Sequence, residues 1–490
     1  MDVSPPPHAK DRERPEWVIL SALIVAELVS SFEGSMIYAA LASFYRLYGD
    51  PIAIGWLVTG YMLLAMAAAA ICARLGDIYG RKKVLIICLA LALCGSLVSA
   101  ATDDLRWIIA GRTVQGFAGA ILPLCYGMVR EYFAPDRVAI NIGWVSATAS
   151  AGAGIGILFG GVLVDHGSWR AIFLCSAALA AVAVLAVWFL VPGSRQFNRS
   201  RIDWLGGILF VPGLTLLLYA LGLGEEHGWG SVAQLSCLGI SLALIAIWII
   251  HELRTDDPMI DVRMLINRQI GLTAVSFVLL AIGTMNIAQI VLVMLQQPQA
   301  TGIGLGLSAT VTGMIHTPGA VIGFVAGPVC GWYAARKGSR NAMILACACA
   351  VAAWLGLAVA HSSVWLVAFW MFLNSFAVGA AMAAAPNLIV EAAPDGRTSE
   401  ATGLGQIARK IGMAVGAQLV AILLATTTVQ VDGGTYPAPE AYLLSFVFMT
   451  LTCGGALAAC LFLPSRKRTA QDGSYPASQT REGRKIGSPS

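Results

Sequence analysis

Apolar stretches of about twenty residues, separated by short charged or turn-forming connections, recur along the whole chain. A helix needs about 20 apolar residues to cross ~30 Å of hydrocarbon, so each stretch predicts a membrane-spanning helix. The pattern predicts fourteen of them. The first six begin near Trp17, Ile52, Lys83, Leu105, Ala139 and Trp169, and two more near Trp204 and Val232. The last six begin near Gly271, Ser308, Asn341, Val364, Ala401 and Glu440. This is the signature of an all-α polytopic membrane protein.

Charge fixes an expected orientation. The 31 Lys and Arg fall overwhelmingly in the termini and the loops on their side, including RLGDIYGRKK, RQFNRSR and SRKR. The opposite loops hold only Arg46, Arg106 and Arg170. By the positive-inside rule both termini are expected in the cytoplasm. The opening MDVSPPPHAKDRERPE is polar and Pro-rich, unlike a cleavable signal, and residues 465–490 read as a disordered tail.

Composition narrows the class further. The chain is 58% hydrophobic and only 12% charged, and its net charge of +4 sits in membrane-flanking loops. Nothing suggests nucleic-acid binding. The eleven cysteines lie almost entirely within apolar runs without a C-x-x-C pair, and the six histidines lack ligand spacing. No metal or organic cofactor is expected, and no nucleophile–base constellation points to an enzyme.

A faint internal repeat is present: ARLGDIYGRKK follows the second span and GWYAARKGSR follows the tenth. It divides the chain into an N-terminal segment (1–16), a first six-helix half (17–191), two central linker helices with their loops (192–270), a second six-helix half (271–464) and the tail (465–490). Such repeats build two halves around a midplane site in many secondary transporters.

Several motifs carry a family resemblance over nearly the whole chain. The Ala73–Lys82 loop is similar to G-x-L-a-D-r-x-G-r-k, with Gly76, Asp77, Gly80, Arg81 and Lys82 in place and Ala73 replacing the first glycine. Arg112, Gln115, Gly116 and Gly119 resemble R-x-x-q-G-x-x-G. In the fifth span, Gly143, Gly152, Gly156, Gly160 and Gly161 fall on the pattern G-x8-G-x3-G-P-x2-G-G, with Ile157 in place of the proline. The chain thereby resembles the major facilitator superfamily, in its fourteen-helix drug:proton antiporter branch.

The resemblance implies alternating access between two six-helix halves and proton-coupled export of amphiphilic molecules such as drugs, antibiotics or antiseptics. It implies a monomer in the bacterial plasma membrane with protons as coupling ion. A proton-linked uptake symporter and a non-transporting receptor or assembly factor are the alternatives. In the family the Asp77 loop latches the two halves, and the glycine-rich helix packs tightly against the other half. Gly152, Gly156 and Gly160 share one helical face, suited to close backbone approach.

Intramembrane charge supplies the candidate chemistry. Glu27 and Glu33 lie within the first span, where an ionisable group costs at least ~2.5–3.5 kcal/mol and ordinarily meets a cavity or partner. Glu33 stands where the branch has an acidic L-D-x-T motif, and a carboxyl that binds and releases protons is what such an antiporter needs. The alternative is that both acids are hydrogen-bonded packing residues. Their six-residue spacing places them on different faces. Arg112 is expected either to couple to a first-span carboxylate, with Gln115 assisting, or to hold backbone carbonyls. Further cavity candidates are Asn286, Gln289, His316, Asn374, Asn387 and Arg409, with His316 equally readable as a packing residue; Glu391 is expected to pair with Arg397 or Arg409.

Overall fold

The computed structural model describes residues 15–193, 204–228, 230–255, 262–392, 398–431 and 433–464. Among them are fourteen helices long and apolar enough to cross a membrane. In chain order these are α1 (Glu16–Tyr48), α2 (Pro51–Tyr79), α3 (Arg81–Ala100), α4 (Leu105–Tyr132), α5 (Asp136–His166), α6 (Trp169–Leu190) and α7 (Leu205–Gly224). They continue with α8 (Val232–Arg254), α9 (Arg268–Gln296), α10 (Ala309–Lys337), α11 (Ser339–Val359), α12 (Val364–Ala392), α13 (Leu404–Ala425) and α14 (Pro439–Leu461). Each starts within about one turn of where the apolar pattern predicts. In hydrocarbon a helix satisfies its own backbone, which is why hydropathy alone finds these elements.

Breaks within the spans are additional. α1 is interrupted at Met36, α4 tightens into a 3-10 turn over Gly116–Ala120, and α9 breaks at Met285–Asn286. A short antiparallel hairpin, β1 (Thr428–Val431) and β2 (Gly434–Pro437), joins α13 to α14. The loops RQFNRSR and SRKR, the N-terminal segment to Arg14 and the tail lie outside the described residues.

Helix pairing repeats with an offset of eight. In the first half α1 packs on α5, α2 on α4 and α3 on α6; in the second α9 packs on α13, α10 on α12 and α11 on α14. The linker helices α7 and α8 pack mainly on each other. The halves meet chiefly along two seams, α2 with α13 and α5 with α10, themselves equivalent under the repeat, with a smaller contact between α1 and α9.

The repeat extends to side chains at the face carrying both chain ends. Gly80 and Gly338 precede α3 and α11 with φ of 97° and 91°, a conformation glycine adopts without a Cβ penalty. One residue on, Arg81 pairs with Glu131 at the end of α4 (3.2 Å), while Ser339 donates to Glu391 at the end of α12 (2.7 Å). Two residues on, Lys82 donates to the Val191 carbonyl after α6 (2.6 Å), and Arg340 to the Leu461 carbonyl of α14 (2.8 Å). Each half is thus pinned at the same place. Glu391 is held by Ser339, and Arg409 does not reach it; Arg397 lies outside the described residues.

On the opposite face the halves are drawn together. Asp165 at the end of α5 accepts from the Ala309 and Thr310 amides at the start of α10, at 3.0 and 2.7 Å, capping a helix of the other half. Thr435 of the hairpin sits against Gly49, and the Arg46 stem lies beside Gly434.

Candidate functional site

Glu33 is wholly buried in α1. Its Oε1 accepts from Ser176 of α6 at 2.6 Å and from Ser96 of α3 at 3.1 Å. Ser96 in turn accepts from Gln115 Nε2 at 2.6 Å, and Gln115 Oε1 accepts from Arg112 Nη1 at 3.0 Å. A polar chain therefore runs from the carboxylate to the guanidinium across three helices. Close approach of α3 and α4 makes it possible: a Cβ at Gly95 would fall 2.5 Å from the Gly111 carbonyl. Arg112 is wholly buried, also donates to the Leu57 carbonyl at 3.2 Å, and lies 4.0 Å from the Tyr61 ring centre. Arg112 thus holds a backbone carbonyl directly and reaches Glu33 only through Gln115 and Ser96.

Glu33 Oε2 is buried without a hydrogen-bond partner. Glu27 is separate: buried, accepting only from Ser31 one turn along at 3.3 Å, with its own Oε2 unpartnered. Ser96, Ser176 and Tyr61 escape sequence reasoning. A serine in a span ordinarily bonds its own preceding turn, as Ser96 also does to Ala92. Nothing local marks it as a carboxylate ligand.

The fifth-span glycines divide into two faces. Gly152, Gly156 and Gly160 pack on α1 of their own half, where a Cβ would meet Ser31 at 2.6 Å, Ser35 Oγ, and the Met36 carbonyl at 3.1 Å. The face turned to the other half carries Gly154 against Ala320, and Gly161 against the Ala309 carbonyl. The helix does meet the other half, but through a different set of glycines than their four-residue spacing suggests. Gly143 is exposed with open space around it, so no close approach depends on it.

The Asp77 loop likewise works within one half. Arg81 bonds Asp77 (2.6 Å), the Gly127 carbonyl (3.1 Å) and Glu131 (3.2 Å), and Lys82 reaches the Trp188 and Val191 carbonyls. Gly76 is packed against Leu124. These described bonds lie within the first half, and the described hydrogen bonds between the halves lie toward the other face. Glu131, unremarked in the sequence, is the deeper partner, its side chain 1% exposed against 20% for Arg81. Arg81→Met is expected to destabilise by about 1.5–3 kcal/mol through loss of its charged hydrogen bonds to Asp77 and Glu131. A thermal-shift measurement in detergent should show a larger loss for it than for Lys82→Met.

Three amides gather in the second half. Asn286 Nδ2 donates to Ile282 O (3.2 Å), Gln289 Nε2 to Ala417 O (3.1 Å) and Asn374 Nδ2 to Thr284 O (3.1 Å). Arg409 lies beside them, with Nη1 3.7 Å from Met285 Sδ. His316 is half-buried with Nδ1 unpartnered. Asn387 is exposed and bonds Ala383 of its own helix, sharing nothing with the amide group.

Two halves of repeated helix pairing, joined along equivalent seams with charge buried between their helices, have the architecture of a membrane transporter. The family model of the Major Facilitator Superfamily matches residues 23–417 and 273–485, and the chain belongs to that superfamily. It is similar to multidrug resistance protein 3 of Bacillus subtilis strain 168 (26% identical over 375 residues, 74% of this chain and 70% of the relative). It is also similar to the tetracenomycin C resistance and export protein of Streptomyces glaucescens (24% over 421 residues, 85% and 77%). A uridine/deoxyuridine transporter of Lactococcus lactis subsp. cremoris strain MG1363 matches at 28% over 365 residues (72% and 75%). A crystal structure of a nucleoside transporter superimposes with a TM-score of 0.67 at 13% identity, over 90% of this chain and 99% of that one.

Proposed function

We propose that this chain is a proton-coupled exporter of small amphiphilic molecules, working by alternating access in a bacterial plasma membrane with both termini cytoplasmic. The observation that carries the reading is Glu33: a fully buried carboxylate whose Oε1 is held by two serines and whose Oε2 has no partner. A proton arriving on Oε2 becomes a buried donor without an acceptor, an arrangement that costs about 1–3 kcal/mol. Relief requires α1 to move relative to α3 and α6. The same step weakens the pull of Glu33 on the chain through Ser96 and Gln115 to Arg112. Protonation is thereby tied to helix displacement.

Each proton entering down ~100 mV supplies ~2.3 kcal/mol, to which a pH gradient adds. The chain works as a monomer with protons as its coupling ion. The Streptomyces resistance and export protein supports export and the Bacillus multidrug resistance protein a drug-like cargo, whereas the uridine/deoxyuridine transporter makes proton-linked uptake of a small metabolite, such as a nucleoside, the second reading. Purified protein in sealed liposomes with an imposed pH gradient separates the two. Export predicts dye movement opposite to proton flow, abolished by a protonophore. Uridine accumulating with the protons would establish the second reading, and movement indifferent to the protonophore would remove proton coupling altogether.

A further inference from the structure

Adjacent cations, Arg409 and Lys410, lie on α13, inside the span that begins at Leu404. Both are half-buried. Arg409 donates through Nε to Gln406 at 3.1 Å, and its Nη1 rests on the thioether sulfurs of Met413 (3.3 Å) and Met285 (3.7 Å). Thioethers are weak acceptors, so most of the guanidinium's hydrogen-bonding capacity is unspent. The ion pairs among the described residues are Asp77–Arg81, Glu131–Arg81, Glu16–Arg137 and Asp103–Arg170; neither α13 cation takes part in one.

Intramembrane cations ordinarily pair or line a pathway, because leaving one unpaired is costly. Two side by side, without a carboxylate partner among the described residues, repel each other as well. In the first half, by contrast, Arg112 is bonded to Gln115 and a carbonyl, and the acids Glu27 and Glu33 are there. The midspan acids belong to one half and the unneutralised bases to the other.

The neighbouring amides add an independent feature. Each of Asn286, Gln289 and Asn374 faces a backbone carbonyl with its nitrogen, and only the N–H₂ end can do so, which fixes the amide orientation. Their oxygens are buried without partners. Met285, against which Arg409 lies, directly precedes Asn286. This region of α9, α12 and α13 thus holds cations without a described anion and buried carbonyl oxygens without a donor.

We propose that Arg409 and Lys410 form an anion subsite for the transported molecule, and that the cargo is an acidic amphiphile, carrying an ionised carboxylate or phenol together with hydroxyl donors for the amides. This rests on the transport reading above. A cationic amphiphile would be repelled from the same region.

Two xanthene dyes of opposite charge, fluorescein and rhodamine 6G, make the test. In proteoliposomes fluorescein should be carried with at least about tenfold higher kcat/KM than rhodamine 6G. Lys410→Gln and Arg409→Gln should each raise its KM about tenfold, while Lys410→Arg keeps it near the parent value. Fluorescein binding, read by anisotropy on the detergent-solubilised protein, should weaken in the same order. Equal or better handling of rhodamine 6G, or fluorescein binding indifferent to Lys410→Gln, overturns the subsite. Charge-selective binding without proton-driven movement would sustain the subsite and sink the export reading instead.

Discussion

Glu33→Gln should reduce proton-driven transport by about 100-fold, equivalent to about 2.7 kcal/mol in the driving step, while leaving gradient-independent exchange of substrate intact. Gln is nearly isosteric, and its Oε1 can accept from Ser96 and Ser176 as the carboxylate does. What it cannot do is take up and surrender a proton. The check is a reconstituted assay with a pH-sensitive dye trapped inside the vesicles, so that proton and substrate fluxes are read together. Glu27→Gln is the control: with a single bond to Ser31 and no link to Arg112, it should change coupling by less than about threefold. Full coupling in Glu33→Gln, with loss in Glu27→Gln, would transfer the proton site to Glu27.

Gly161→Ala should open the face opposite the termini. An alanine Cβ there would strike the Ala309 carbonyl group, 2.6 Å from its carbon, and lie 2.8 Å from the Thr310 nitrogen. Backbone cannot rotate aside as a side chain can. α5 and α10 must part, at an overpacking cost of about 1–3 kcal/mol, and the two amides that Asp165 caps are released with them. Since about 1.4 kcal/mol is tenfold in an equilibrium constant, the closed-to-open ratio falls by about 5- to 150-fold. Hydrogen exchange read by mass spectrometry on peptides spanning residues 305–315 should accelerate accordingly. Gly143→Ala, surrounded by open space, should leave that exchange unchanged; acceleration there too would show a general loosening rather than a seam effect.

Some of this architecture is written locally in the chain and some is not. Span positions are legible because a transmembrane helix must be apolar over its whole length. Glu33 and Arg112 stand out for the converse reason, as charges in apolar runs. The serines that hold Glu33 come from α3 and α6, and acquire meaning only when those helices converge on α1. Glycine spacing reveals a smooth face but not its neighbour, which is how Gly152, Gly156 and Gly160 turn out to serve α1 while Gly154 and Gly161 serve the seam. The hairpin after α13 carries an Asp432–Gly433 turn signal, overshadowed by the hydropathy of the flanking spans. Lys410 is inconspicuous beside Arg409 until the absence of a described acidic partner for either is seen in three dimensions.

Pinning both halves at matched points, Arg81 with Glu131 and Ser339 with Glu391, confines deformation to the two joints between them. On the alternating-access reading proposed above, each half would turn as a block, like a leaf on a hinge. A compound wedged between α5 and α10 would hold that joint without touching the wall of α9, α12 and α13. Inhibitors of this protein need not resemble anything it carries.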